Sequence, residues 1–249
     1  MIVETVKRKE TIQSFNNNFI VIFGTLQNLN NTMNNLTIKP DDYYSACRKD
    51  MLRYIDIPVH TLLEIGCGAG NFAANFPDAE YWGVEPVAKQ AEVAASKSLK
   101  ILNGCYGDVA SQIPDKYFDL IVCNDVIEHM IDPVGFLQSV RHKLKPTGKL
   151  IASIPNIRHI TVIYNLLFHG LFDYEKSGLM DYTHLHFFTP KSFRKIAVNC
   201  GWNVELIEPL TIAPFKPIKN LILKFLERNT HDLRTVQFAV RLSQITATA

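Results

Sequence analysis

Residues 62–70 read Leu62-Leu63-Glu64-Ile65-Gly66-Cys67-Gly68-Ala69-Gly70, a carboxylate followed by glycine at every second position. Glycines let the backbone turn sharply and come close to a bound molecule, where a Cβ would clash. An acid at that point is a poor core residue but suits a ligand's amino group or hydroxyls. Roughly 20 residues past Gly66, the run Tyr81-Trp82-Gly83-Val84-Glu85-Pro86 brings a second acid, the spacing of a ribose-binding carboxylate. Glu85 can accept from both ribose hydroxyls. Further on, Asp108, Asn124 and Asp125 add polar groups just past apolar runs, and His129 and His184 offer side chains able to take a proton near neutral pH.

The elements that must position these groups follow from hydropathy. Apolar runs before Gly66, at Tyr81–Glu85, Leu99–Tyr106, Tyr117–Cys123 and Gly148–Pro155 read as strands. Helical stretches separate them: one from Pro86 to about Ser96, where proline suits a first turn, and another opened by Asp132-Pro133. Strands alternating with helices argue for a parallel sheet covered on both faces. Glu64, Glu85, Asp108 and Asn124 then fall at the carboxyl ends of the strands, where such sheets bind ligands. Asn203–Ile207 and Thr235–Ser243 supply two last strands, paired antiparallel at one edge. The expected fold is α/β: a Rossmann-like seven-stranded sheet, mostly parallel with an antiparallel edge strand, helices on both faces.

Two cofactor readings compete for the glycine run. A dinucleotide loop, Gly-x-Gly-x-x-Gly, needs glycine at 71 when counted from Gly66, and Asn71 stands there. Counted from Gly68 it survives only in shifted form, with Ala73 as its last member. The full pattern Glu-x-Gly-x-Gly-x-Gly resembles the nucleotide loop of class I S-adenosylmethionine (SAM) dependent methyltransferases. The run Asn124-Asp125-Val126-Ile127-Glu128-His129-Met130 with Asp132-Pro133 resembles that family's fourth motif. The resemblance covers about residues 43–243 and implies SAM as cofactor. It places Glu64, Gly66, Cys67, Gly68, Gly70, Glu85, Pro86, Asn124 and Asp125 around SAM. Asp108 would accept from the adenine amino group, and the Val109 amide would meet a ring nitrogen. It also implies a helix at about Ser45–Tyr54 over the methionine end, with Tyr44 beside it and Arg48 pairing with the cofactor's carboxylate; ordinary surface roles for both stay open.

The long insertion at about 157–190 is the substrate-side region, since loops of that length in a compact domain are usually functional. Arg158–Gly170 looks helical, and so does Pro190–Cys200. The piece Asp181-Tyr182-Thr183-His184-Leu185-His186-Phe187-Phe188-Thr189 resembles a run common in methyltransferases encoded with bacterial surface-polysaccharide genes. It departs from them at Tyr182 and His186, where they carry arginines, which weakens any carry-over of an anionic substrate. The implied acceptor is an oxygen of a sugar, nucleotide-sugar or glycan, with polysaccharide biosynthesis as the setting. A quinone-type phenol is the alternative, because Asp125-x-x-Glu128-His129 also resembles the Glu-x-x-Glu-His of ubiquinone-pathway O-methyltransferases. That pattern holds a divalent ion, but a shorter Asp replaces its first Glu here, and no metal is expected. The base is His129 or His184; His159 and His186 rank below them, with His186 facing away if His184 faces in. A SAM-binding protein without turnover and an NAD-dependent sugar enzyme are the rivals. The second lacks a Tyr-x-x-x-Lys pair.

Bulk properties restrict little. At 249 residues the chain holds one α/β domain, read as 41–249, behind an Asn-rich extension at 1–40. A net charge of +2 gives no polyanion signature, so nucleic acid is not an expected partner. The 5 cysteines lie apart without Cys-x-x-Cys spacing, which suits a reducing compartment and a cytoplasmic location. The apolar run Phe19–Phe23 is too short to span a bilayer. The sequence says nothing about oligomeric state.

Overall fold

The computed structural model describes residues 47–213 and 232–245. The extension at 1–40 and Tyr44 lie outside the described residues, as does 218–228, whose apolar spacing predicts a helix. Seven strands form one sheet: β1 (Thr61–Ile65), β2 (Glu80–Glu85), β3 (Lys100–Asn103), β4 (Phe118–Asn124), β5 (Leu144–Pro155), β6 (Trp202–Ile212) and β7 (Thr235–Gln244). Their order is β3-β2-β1-β4-β5-β7-β6. The first five strands run parallel, and β7 is antiparallel to both β5 and β6. The reversed strand therefore lies one place in from the β6 edge. Strand order reverses between β1 and β4, which is where a ligand crevice is expected in an open sheet.

Period-two alternation sends the strand side chains to opposite faces. Leu62, Leu120, Val122 and Ile151 join one core cluster with Met51, Tyr54 and Phe72. Leu63, Ile121, Cys123, Leu150 and Ala152 join the other, with Phe136, Leu137 and Trp202. Each fully buried large side chain contributes about 1.5–3 kcal/mol relative to exposure. Truncating Ile121, 0% exposed in the central strand β4, should cost about 2–5 kcal/mol once the cavity is included.

Several local expectations change. The third strand stops at Asn103, because Gly104 takes φ 152° and Tyr106 begins the short helix Tyr106–Val109. The helix after β2 starts at Ala88 rather than Pro86, since the Glu85 carboxylate accepts from the Val87 N–H and holds that stretch extended. A 3-10 turn, Asn71–Asn75, follows the glycine run, closed by the Asn75 side chain donating to the Phe72 carbonyl. The helix before β1 is a 3-10 segment, Lys49–Tyr54, broken at its start by left-handed Arg48 (φ 44°). In the insertion, a short α-helix, Ile160–Tyr164, passes into a π-helical turn, Asn165–His169, ended by Gly170 at φ 65°. Among the described residues no helix is long and apolar enough to cross a membrane.

Candidate active site

The glycine run is held by backbone and by one carboxylate. Gly66, Gly68 and Gly70 all sit at positive φ (70°, 51° and 71°), a region closed to most L-residues. A Cβ on Gly66 would meet Val126 Cγ2 at 2.5 Å, and one on Gly70 would meet Leu99 Cδ1 at 2.6 Å. Protein side chains therefore demand these glycines before any ligand does. The amides of Gly66 and Cys67 both donate to the Val84 carbonyl, 2.8 and 3.1 Å away, fixing the run to the end of β2. Cys67 is buried, its Sγ in the space a Gly83 side chain would fill, and burial pushes its thiol well up. It is a space-filling residue facing into the protein.

Glu64 and Glu85 end adjacent strands, 4% and 3% exposed. Glu85 Oε2 accepts from the Gly68 amide at 2.8 Å and Oε1 from the Val87 amide at 2.9 Å. Each oxygen keeps a further lone pair. Burial raises the Glu85 pKa and those amides temper it. Glu64 lies opposite Gly83 in the register, which leaves room for Tyr81 to reach it and donate its hydroxyl to Oε2. Burial pushes the Glu64 carboxyl up to about 8 despite Tyr81 and Asn124.

At the neighbouring strand ends the groups are more committed. Asp125, left-handed at φ 55°, accepts at Oδ1 from Ser153 Oγ (2.9 Å) and Gln237 Nε2 (2.8 Å). Its Oδ2 lies 2.5 Å from Arg48 Nη1, and Arg48 Nε is 3.3 Å from Asp50. Arg48, expected to await a carboxylate from outside, already has two within the chain. Asn124 ends β4 beside Ser153 in the β5 register. Asp108 is exposed and Val109 buried on the short helix after β3, and Pro86 is exposed just past β2.

The two favoured histidines come together. Their rings pack edge to face with centroids 4.8 Å apart, although 55 positions separate His129 from His184 in sequence. His129 follows β4 in the 3-10 turn Ile127–His129. His129 Nδ1 is 3.0 Å from the Thr183 carbonyl, and His184 Nδ1 is 3.1 Å from that of Leu179. A carbonyl only accepts, so both Nδ1 atoms carry hydrogen. Burial and the neighbouring His129 lower the His184 pKa. Beneath them Glu128 is 1% exposed, and burial, with Asp125 nearby, holds its carboxyl well above the usual range.

The insertion is seated on this turn: the Leu185 and His186 amides both donate to the Glu128 carbonyl (2.9 and 3.0 Å). Asp181 accepts from the Thr183 amide and hydroxyl, forming the turn that aims the Thr183 carbonyl at His129. Phe187 touches His184, and Phe172 and Tyr174 continue the ring contacts outward. His186 instead bonds the Ile131 carbonyl, and His159 caps the helix Ile160–Tyr164. Asp132 caps Pro133–Val140, and Thr189 with Ser192 forms a capping box at Pro190–Asn199, so these motif ends are helix starts.

Sequence reading missed Tyr81, Ser153, Gln237 and the burial of Glu128. Gly83 opposite Glu64 was the available signal for Tyr81; nothing local marks the other three.

Residues 41–207 match the family model described as a methyltransferase domain. An uncharacterized methyltransferase of Schizosaccharomyces pombe is 26% identical over 175 residues, 64% of this chain and 60% of that protein. A ubiquinone biosynthesis O-methyltransferase of Rhodopseudomonas palustris is 31% identical over 100 residues, 38% of this chain and 40% of that one. The chain thus spans less than two thirds of the length of these relatives. A SAM-dependent methyltransferase from Archaeoglobus fulgidus has the same fold, with a TM-score of 0.58 at 18% identity, over 78% of this chain and 91% of its own.

Proposed function

The chain belongs to the class I SAM-dependent methyltransferases, and from that premise we propose that it methylates a hydroxyl oxygen of a sugar, nucleotide-sugar or glycan. The observation that carries this reading is the His129–His184 pair over buried Glu128, on the turn that leaves β4 beside the glycine run's own strand. The residues fit the cofactor. Glu64, buried with a phenol and an amide for company, suits the ammonium of the methionine end. Glu85 holds the glycine run with one lone pair of each oxygen and keeps the others for ribose hydroxyls. Asp108 and the Val109 amide take the adenine end; Asn124 and Asp125 line the layer between. Arg48 reaches the carboxylate by sharing its guanidinium with Asp125.

When bound, SAM supplies a methyl group already activated by its sulfonium. What remains for the chain is alignment and proton uptake. His129 Nε2 takes the proton of the acceptor hydroxyl, its ring held by the Thr183 carbonyl. His184, with a lowered pKa, stays neutral and lines the acceptor. Phe172, Tyr174 and Phe187 form a wall on which the apolar face of a sugar packs and from which water is displaced. The same wall favours the second reading, a quinone-type phenol, because flat rings pack edge to face against aromatic side chains. The relative from the ubiquinone pathway points the same way. Five free thiols accord with a cytoplasmic setting.

Calorimetry with SAM, its demethylated product and NAD, followed by labelled-methyl incorporation into nucleotide sugars, glycans and catechols, tests the proposal. Label in the sugar class supports it, and label confined to phenols moves the acceptor to the second reading. SAM binding without incorporation into any lysate fraction overturns turnover, and preference for NAD overturns the cofactor.

A further inference from the structure

We infer that the apolar outer face of the insertion, Tyr164, Leu166, Leu167, Phe168 and Leu171, is the surface on which two copies of this chain pair about a two-fold axis. These side chains range from 47% exposed at Leu171 to 71% at Leu167. They form one patch. Tyr164, Leu167 and Phe168 stand at i, i+3 and i+4, where helical neighbours meet, and the Tyr164 and Phe168 ring centroids are 5.1 Å apart. The Leu171 amide donates to the Asn165 carbonyl at 3.1 Å, which folds the chain after Gly170 back beside the turn. Val162, two residues before Tyr164, is buried, so the helix already has an inner face and the patch is its outer one.

Size sets this patch apart. Large side chains about half exposed leave roughly 100 Å² each in water, so together they make about 500 Å². The largest contiguous apolar patch on a monomer is usually about 300–600 Å², and patches at the upper end mark interaction sites. Two such patches face to face bury about 1,000 Å² before their rims are counted, the lower bound for a specific protein interface. The π-helical turn Asn165–His169 is a second sign, since such turns are rare and occur mostly at functional sites.

The rim decides the partner. No acid lies in 160–172, and the run beyond it carries both signs: Asp173 and Glu175 beside Lys176, with His169 before them, all exposed. An anionic bilayer attracts clusters of about 4–8 Lys or Arg, and two acids here would oppose it. Arg158, at the root of the insertion, is committed to Asp232. A mixed rim around an apolar centre suits an isologous contact, because each copy offers the other both signs. Phe172 follows in the same run and packs on Phe187, ring centroids 5.7 Å apart, so pairing also braces the acceptor wall. That bracing rests on the function proposed above; the pairing itself does not.

Sedimentation velocity of the full chain from about 1 to 200 µM should show a monomer–dimer equilibrium with a micromolar dissociation constant. Leu167→Glu combined with Phe168→Glu, at side chains already largely in water, should weaken it by more than roughly 100-fold. Val198→Glu, at an exposed apolar residue of the helix Pro190–Asn199, should leave it unchanged. A monomer throughout, or a dimer that keeps its strength in the double variant, overturns the inference. So does a monomer that floats with phosphatidylcholine–phosphatidylglycerol vesicles, which assigns the patch to a lipid surface. If the double variant does not fold, amide exchange of the wild type decides. Residues 164–171 must then exchange more slowly at high than at low concentration, and unchanged rates overturn the pairing. SAM calorimetry on the same samples separates the failures: a monomer that binds SAM removes the interface alone, and a dimer that does not bind SAM removes the cofactor reading alone.

Discussion

The two halves of the candidate site are built on different principles. The cofactor half, Glu64 to Glu85, comes from two adjacent parallel strands and the run that leaves the first of them. Its contacts are mostly backbone amides on carbonyls and one carboxylate, and its glycines answer to Val126 and Leu99 as much as to a ligand. The acceptor half is assembled from a turn at 127–129 and an insertion more than 50 positions later, joined by side chains and by two amides on one carbonyl. Elsewhere in that insertion, in the turn Asn165–His169, Leu167 and Phe168 stand 71% and 67% exposed. The first half is fixed by the sheet; the second is fixed only as long as the insertion stays seated. Mutations in the first should change binding, and in the second turnover or acceptor affinity.

The largest test of that division is His129→Ala. It should lower turnover by about 10²–10⁴-fold while SAM affinity is nearly unchanged. His184→Ala should raise KM for the acceptor more than it lowers kcat. Steady-state kinetics read both, and a reversal of the two outcomes moves the base onto the insertion.

Next in size is Glu85→Ala, which should weaken SAM binding by roughly tenfold to a hundredfold in a folded protein. Calorimetry with thermal unfolding checks it; unchanged affinity removes the ribose assignment. Gly66→Val should weaken binding too, through positive φ and the contact with Val126.

The smallest effect concerns pH. Glu64 is raised from 4.5 to about 8, so its protonated form stabilises the fold. That contribution is complete below pH 4.5 and is lost as pH rises through about 8. An ammonium ligand needs the carboxylate, so SAM affinity should rise up to about tenfold per pH unit on the approach to pH 8. Above that it should fall as the ligand's α-amino group, near ~8, loses its charge. Glu64→Gln should abolish the rising limb alone. Tyr81→Phe should push that limb to higher pH, because Tyr81 holds the Glu64 pKa down.

What was legible in the sequence follows the same division. Strand ends marked by Glu64, Glu85 and Asn124 were readable because alternation and a terminal acid are local signals. The Asp132-Pro133 and Thr189-Pro190 helix starts were readable for the same reason. The meeting of Glu128 with His184 was not, since no periodicity links a 3-10 turn to a distant loop. Arg48 looked free because its partner Asp125 lies 77 positions on. Pro86 looked like a helix start because the competing bond from Val87 to Glu85 is invisible without coordinates.

The two amides on the Glu128 carbonyl carry a consequence for timing. Lifting the insertion would break both bonds and withdraw His184 and the Thr183 carbonyl from His129. With His129 as the proposed base, a protein in that open state would load its donor but hold no oriented group to receive a proton. Acceptor entry and readiness for chemistry then become a single event, and an idle enzyme is kept from spending its methyl donor on water.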